Sequence, residues 1–94
     1  MLFFVKVRLD LNKLGELGQR LQAGTLPTHP VSTYCLQADP AVGLNIWEAA
    51  DRDAFEQAFA PHRAYYAEVL EITPVITAPE AQGILMAQMV DASD

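Results

Sequence analysis

The sequence is poor in cysteine, in long apolar runs and in charge, and each shortage excludes a class of protein. A single cysteine in 94 residues cannot form a disulfide within the chain, which favours a reducing compartment. No apolar run approaches the ~20 residues that a membrane-spanning helix needs. The hydrophobic fraction of 51% and the charged fraction of 19% exclude a mainly disordered chain. We therefore expect one folded, cytoplasmic domain over residues 1–94, without a signal peptide.

Positive charge is scarce as well. Six basic residues stand against twelve acidic ones, which gives a net charge of −6 and a pI near 4.6. The bases are scattered, whereas nucleic-acid binding requires a basic surface that replaces phosphate counterions. Anionic membrane surfaces are disfavoured for the same reason. The sequence therefore predicts neither a nucleic-acid partner nor a membrane partner.

Hydrophobic periodicity predicts an alternation of strands and helices along the chain. Alternating apolar positions predict four strands, at residues 2–9, 32–38, 42–49 and 69–76. Helical spacing and capping residues predict helices over 13–23 after Asn12, from Asp51 onward, and after Thr77. Gly24 is predicted to end the first helix, and fraying is expected over 90–94.

Pro61 is predicted to interrupt the second helix, because proline lacks an N–H group and clashes with the preceding turn. A short, offset helical piece is then predicted over residues 62–67. On that piece His62 would face Tyr65 and Tyr66, at the spacings of three and four residues that bring helical side chains together.

The element order predicts an α+β domain of the ferredoxin-like, split βαβ type (β-α-β-β-α-β) with an extra C-terminal helix. Two helices would cover one face of the sheet, and the other face is expected to carry Leu2, Phe4 and Trp47. A monomer would expose these residues as an apolar patch, and a second copy packed sheet against sheet is the simplest cover. The C-terminal helix is predicted either to contact that second subunit or to fold back on its own.

The opening Met1-Leu2-Phe3-Phe4-Val5-Lys6-Val7, with this element order and size, resembles the dimeric α+β barrel superfamily, particularly its muconolactone-isomerase-like branch. The resemblance implies a homodimer or higher homo-oligomer, in which the sheets of two subunits close one barrel. It further implies a small-molecule enzyme, with cofactor-independent, isomerase-like proton transfer on a small oxygenated or aromatic organic acid. The alternative is a non-catalytic homodimeric binding or assembly module.

The densest polar and aromatic group in the sequence comprises His62, Arg63, Tyr65 and Tyr66. As a pocket wall, His62 would exchange a proton near neutral pH, and Tyr65 or Tyr66 would donate a hydrogen bond to an oxygen. Arg63 would bind a carboxylate or an enolate of the substrate. In the alternative interpretation, the histidine and arginine are solvated, and the tyrosines pack with their hydroxyl groups in water.

Three further residues complete the candidate substrate-binding set: His29, Tyr34 and Trp47. His29 lies in a proline-flanked loop, and loops on rigid scaffolds often carry function. Cys35, in mid-strand, is predicted to be an inert, small apolar residue. No closely spaced histidine or cysteine pair indicates a metal site, and no cofactor is expected. Haem stays open, because one histidine suffices as an axial ligand.

Overall fold

The structure is a computed structural model and describes residues 1–92. Its strands are β1 (Leu2–Leu9), β2 (Ser32–Cys35), β3 (Val42–Glu48) and β4 (Tyr66–Val75). Its helices are a short 3₁₀ turn (Leu11–Lys13), α1 (Leu14–Ala23), α2 (Arg52–Arg63) and α3 (Ala78–Ala92). The strands form one antiparallel sheet in the order β2-β3-β1-β4, consistent with a ferredoxin-like fold. The predicted α+β class and element order are thereby confirmed.

One face of the sheet packs against helix α2, and we call it the helix-covered face. Phe3 pairs with Trp47 and Val5 pairs with Asn45 across β1 and β3, and directly opposed residues share a face. Trp47 is therefore buried, with an exposed fraction of 2%. The expectation that Trp47 lies on the other face is wrong, because its pairing with Phe3 turns it toward the helices.

The other side of the sheet, the open face, carries Leu2, Phe4, Lys6, Leu44 and Ile46. These residues are only partly buried, because none of the described helices lies across them. The predicted second apolar face is confirmed, with Leu44 and Ile46 in the place expected for tryptophan.

An aromatic core fills the space between α2 and the sheet. Phe55 stacks on Phe3 with ring centroids 4.6 Å apart and on Phe59 with centroids 5.4 Å apart. Trp47 meets Phe59 edge to face at 5.7 Å. Asp51 caps α2 as predicted, since its carboxylate accepts a hydrogen bond from the N–H of Ala54 at 2.8 Å.

Pro61 does not interrupt α2. It lies in the last turn, where its missing N–H removes only one hydrogen bond and the helix ends two residues later. His62 and Arg63 complete α2, and β4 already begins at Tyr66. The offset helical piece predicted over 62–67 is therefore absent from the described chain.

Helix α1 packs far more loosely than α2. Leu14 and Leu21 are 48% and 55% exposed, and every described residue of α1 keeps more exposure than a core residue. The predicted Asn12 cap is wrong: Lys13 precedes α1 without a side-chain capping hydrogen bond, and Asp10 caps the 3₁₀ turn before it by accepting from the N–H of Asn12 at 3.0 Å. Gly24 ends the helix with a φ of 68°, as predicted.

Helix α3 extends away from the rest of the molecule. The Thr77 hydroxyl accepts a hydrogen bond from the N–H of Glu80 at 3.3 Å, as the capping pattern predicts. The described chain measures 58 × 30 × 20 Å, and its radius of gyration of 16.7 Å exceeds the roughly 12 Å of a compact domain of this length. Within residues 1–92, α3 therefore does not fold back on its own subunit.

Two further observations concern the helices and the chain end. None of the described helices is both long and apolar enough to cross a bilayer. Helix α3 extends to Ala92, and the fraying predicted over 90–94 stays a prediction. For Ser93 and Asp94 that expectation lies outside the described residues.

Candidate functional site

A cavity of about 250 Å³ lies between α1 and the helix-covered face, and we call it the α1 pocket. Leu14, Leu17 and Leu21 form its helical wall, and its other lining residues come from the sheet, the loop before β2 and the end of α2. The lining is mainly apolar, with a few polar groups, as is usual for small-molecule sites.

The cavity exists because small side chains cover the sheet below α1. Gly43 lines the pocket and has no side chain, and an added Cβ would stand 3.3 Å from Cγ2 of Val7. Asn45 is the next residue of β3 on the same face, whereas Trp47 after it lies under α2. The same strand thus presents small groups to α1 and a large ring to α2.

Asn45 and Tyr66 place two polar groups in the pocket. Asn45 is only 4% exposed, and both Asn45 and Tyr66 line the pocket. Burial raises the pKa of the Tyr66 phenol, and a hydrogen bond with the Asn45 side chain opposes that increase. The Tyr66 hydroxyl therefore stays protonated at neutral pH and can act as a hydrogen-bond donor.

His62 reaches the pocket from the last turn of α2 and is also buried. Its Nε2 lies 2.7 Å from the carbonyl oxygen of Thr28. Because a carbonyl only accepts, Nε2 carries the proton in the neutral ring, and Nδ1 is the basic nitrogen. The ring also meets the edge of Trp47, with centroids 4.9 Å apart.

The environment of His62 favours its neutral form. Burial is the largest cause that lowers its pKa below 6.5, and the neighbouring positive charges of His29 and Arg20 lower it further. The hydrogen bond to Thr28 acts in the opposite direction. His62 is therefore an uncharged base at neutral pH.

The other two members of the predicted cluster lie outside the pocket. The hydroxyl of Tyr65 accepts a hydrogen bond from Nη1 of Arg20 at 2.8 Å and lies 3.4 Å from Oε1 of Glu16. Arg63 is exposed, and its guanidinium forms an ion pair with Glu56 at 3.4 Å. The structure therefore brings together His62 and Tyr66 from this cluster, and it does not bring Tyr65 or Arg63 to them.

The three remaining predicted binding residues are also separate from the pocket lining. His29 is exposed, although it lies near enough to influence the pKa of His62. Tyr34 lies opposite Leu44 and is therefore on the open face, where it is exposed. Trp47 is a core residue that contacts His62 from behind the pocket.

Sequence reasoning missed Asn45 and Cys35 as pocket residues. Cys35 ends β2, is exposed and lines the cavity, so it is not the mid-strand residue that the pattern predicts. Asn45 did leave a signal: it lies two residues before Trp47 and in phase with it, which predicts a polar group on a covered face. A buried amide of this kind requires a hydrogen-bond partner, and the Tyr66 side chain provides one.

Metal ligation and the comparisons with known proteins add no further assignment. Within residues 1–92 no cluster of three or more histidine, cysteine or carboxylate side chains could hold a metal ion. Comparison with family models, with curated proteins and with solved structures finds no match to this chain.

Proposed function

We propose that this protein is a small-molecule enzyme of the dimeric α+β barrel type, which performs cofactor-independent proton transfer in the α1 pocket. The observation that carries the proposal is the convergence of a neutral imidazole, a protonated phenol and a buried amide in one mainly apolar cavity. Such a cavity offers a base together with hydrogen-bond donors for an oxygen. His62, Tyr66 and Asn45 are the proposed site residues.

The proposed reaction moves a proton between two carbons of a carbonyl compound. His62 takes a proton from a carbon next to the carbonyl group, and the C–H electron pair becomes part of an enolate. Tyr66 and Asn45 donate hydrogen bonds to the enolate oxygen, where negative charge develops. Where a carbon–carbon double bond of the substrate extends the enolate to a dienolate, the imidazolium returns the proton to the far carbon of that system, which completes an isomerisation and restores the neutral base.

Exchange of hydrogen for deuterium at such a carbon tests this chemistry without knowledge of the substrate. We expect the protein to accelerate exchange into bicyclic aryl ketones such as 2-tetralone in D₂O, measured by proton NMR. His62→Gln keeps an N–H donor for Thr28 but removes the base, and we expect it to lower the acceleration about 100-fold or more. Tyr66→Phe is expected to lower it at least tenfold.

Tyr65→Phe is the matched control, because it removes a hydroxyl one residue away that interacts with Arg20 outside the pocket. We expect its exchange rate to equal that of the wild type. Exchange no faster than in buffer, or equal losses in Tyr65→Phe and Tyr66→Phe, would contradict catalysis at this site.

The second candidate is a homodimeric binding module that holds a ligand without converting it. The hydrogen bond between His62 Nε2 and Thr28 favours this candidate, because it gives the imidazole a structural role. Saturable binding in the pocket without deuterium exchange would support the module and exclude the enzyme.

We also propose that two copies pack through their open faces. Leu2, Phe4, Leu44 and Ile46 form an uncovered apolar patch, and α3 exposes apolar side chains on several sides. A groove of about 800 Å³ lies at the junction of the open face and the start of α3, lined by Leu2, Val75 and their neighbours. A helix with apolar side chains on several sides is normally covered by other protein, and a symmetric second copy would cover the sheet and helix together.

Sedimentation equilibrium tests this assembly. We expect a wild-type dimer at micromolar concentration, and we expect Phe4→Lys to weaken it at least 100-fold, because a charge would be buried in the interface. Leu11→Lys, at a position that is 67% exposed beside α1, is the control and should stay dimeric. A wild-type monomer at high concentration would overturn the assembly.

A further inference from the structure

We infer that the α1 pocket selects electrically neutral, oxygen-bearing ring compounds and rejects carboxylates. This inference rests on the proposed function, since it names the ligand class of the same site. It also departs from the organic acid that the sequence resemblance implies.

The first argument is the placement of every positive charge. Of the six bases in the chain, none lines the α1 pocket within the described residues. Four of them are engaged elsewhere: Lys13 donates to the carbonyl oxygen of Ala64, Arg20 to Tyr65 and Thr25, and both Arg52 and Arg63 to Glu56. The remaining two, Lys6 and Arg8, lie on the open face, and Arg8 also forms an ion pair with Asp39 at 3.2 Å. A ligand carboxylate would therefore find no cationic partner.

Histidine does not supply the missing charge. His62 is the only titratable base among the pocket residues that the structure describes, and burial lowers its pKa. At neutral pH a carboxylate in the pocket would lose its hydration without gaining an ion pair, which is costly in an apolar site. Acidic side chains are equally absent from the described lining, so a cationic amine is disfavoured for the same reason.

The polar groups that are present suit a neutral oxygen. The Asn45 amide has two N–H donors and an acceptor oxygen, and the protonated Tyr66 hydroxyl can donate. Together they can bind a carbonyl oxygen, or donate to and accept from a hydroxyl group. The wall of three leucines, Leu14, Leu17 and Leu21, favours an apolar ring system on the opposite side.

The size of the cavity limits the ring system. An apolar protein cavity of roughly 150 Å³ can hold benzene. The α1 pocket, at about 250 Å³, is large enough for one ring with substituents or for two fused rings. Bicyclic phenols and ketones are therefore suitable probes.

A matched pair of probes tests the inference directly. We would titrate ¹⁵N-labelled protein at pH 7.5 with 2-naphthol, which is neutral, and with 2-naphthoate, which has the same ring system and carries a negative charge. The expected result is that 2-naphthol shifts the amide signals of the pocket residues and binds at least tenfold more tightly than 2-naphthoate.

Engineered charge provides the reciprocal test. Leu17→Lys places a cation in the pocket wall and should raise the affinity for 2-naphthoate at least fivefold. Gln22→Lys adds the same charge at an exposed position of α1 outside the pocket, and it should leave both affinities unchanged. If Leu17→Lys does not fold, the wild-type comparison alone decides the inference.

The two ways of failing are distinguishable. Equal affinity for the two probes, or tighter binding of 2-naphthoate at the pocket, would overturn the neutral ligand class and leave a small-molecule site in place. Absence of any shift at the pocket residues with either probe would overturn both the ligand class and the proposed function.

Discussion

The two halves of the helix-covered face are built in opposite ways. Under α2, Phe55 and Phe59 are fully buried and pack with Phe3 and Trp47 into a continuous aromatic core. Under α1, the same sheet presents Gly43 and Asn45, and the facing leucines remain partly exposed. One half is filled by the chain itself, and the other half keeps a cavity.

This contrast separates stability from binding within one small domain. Burial of large aromatic rings accounts for most of the core, and it involves α2, β1 and β3. Helix α1 has no buried residue, and in the proposed site its apolar side chains contact the ligand. His62 lies at the border, since its ring packs on Trp47 and also lines the pocket.

The largest expected effect is a difference in unfolding free energy between the halves. Phe55→Ala should lower the stability by about 3–5 kcal/mol, because it leaves a cavity in the packed core. Leu21→Ala should change it by no more than about 0.5 kcal/mol, because this side chain is 55% exposed. Urea unfolding of both variants and the wild type at one protein concentration measures the difference. Similar losses in the two variants would show that α1 is packed as tightly as α2.

A smaller effect is expected from protonation of His62 at the border of the two halves. Its pKa is lowered in the folded state, so between pH 6.5 and that lower value the unfolded chain binds more protons. The contribution of His62 to stability is therefore full above pH 6.5 and is lost as the pH falls through its folded pKa. Urea unfolding at pH 7.5 and pH 5.5 should show a larger acid loss in the wild type than in His62→Gln.

The single tryptophan gives an independent measurement of the same titration. Trp47 meets the edge of the His62 ring, so its fluorescence should change when the ring becomes charged. We expect the fluorescence to change with a midpoint below pH 6.5. The His29→Gln variant should retain this transition, and the His62→Gln variant should lose it. A midpoint above 6.5, or its loss in His29→Gln, would contradict the buried, neutral imidazole.

Local sequence patterns predicted the elements well but not their long-range partners. The alternation of apolar residues gave β1 its correct bounds, and the caps at Asp51 and Thr77 were confirmed. The predicted face of Trp47 was wrong, because that face depends on the pairing of Trp47 with Phe3. A local sequence pattern gives no information about such long-range pairing. The prediction that Pro61 interrupts α2 was wrong, because the effect of a proline depends on its distance from the end of the helix.

The site was predictable only where its residues are neighbours in the sequence. His62 and Tyr66 were found as members of a local cluster, although they meet across a helix-to-strand turn rather than on one helix. Asn45 lines the pocket because of the sheet register, and the α1 leucines line it because α1 lies at a distance from the sheet. Those quantities depend on tertiary packing, which hydrophobic periodicity does not determine.

The most direct test of the contrast between the halves is a map of where a neutral ring compound binds. Amide chemical shifts recorded at saturating 2-naphthol should change for Leu17, Asn45 and Tyr66 and remain unchanged for Phe55. Changes confined to the open face around Ile46, with none around α1, would contradict a binding site beneath this helix.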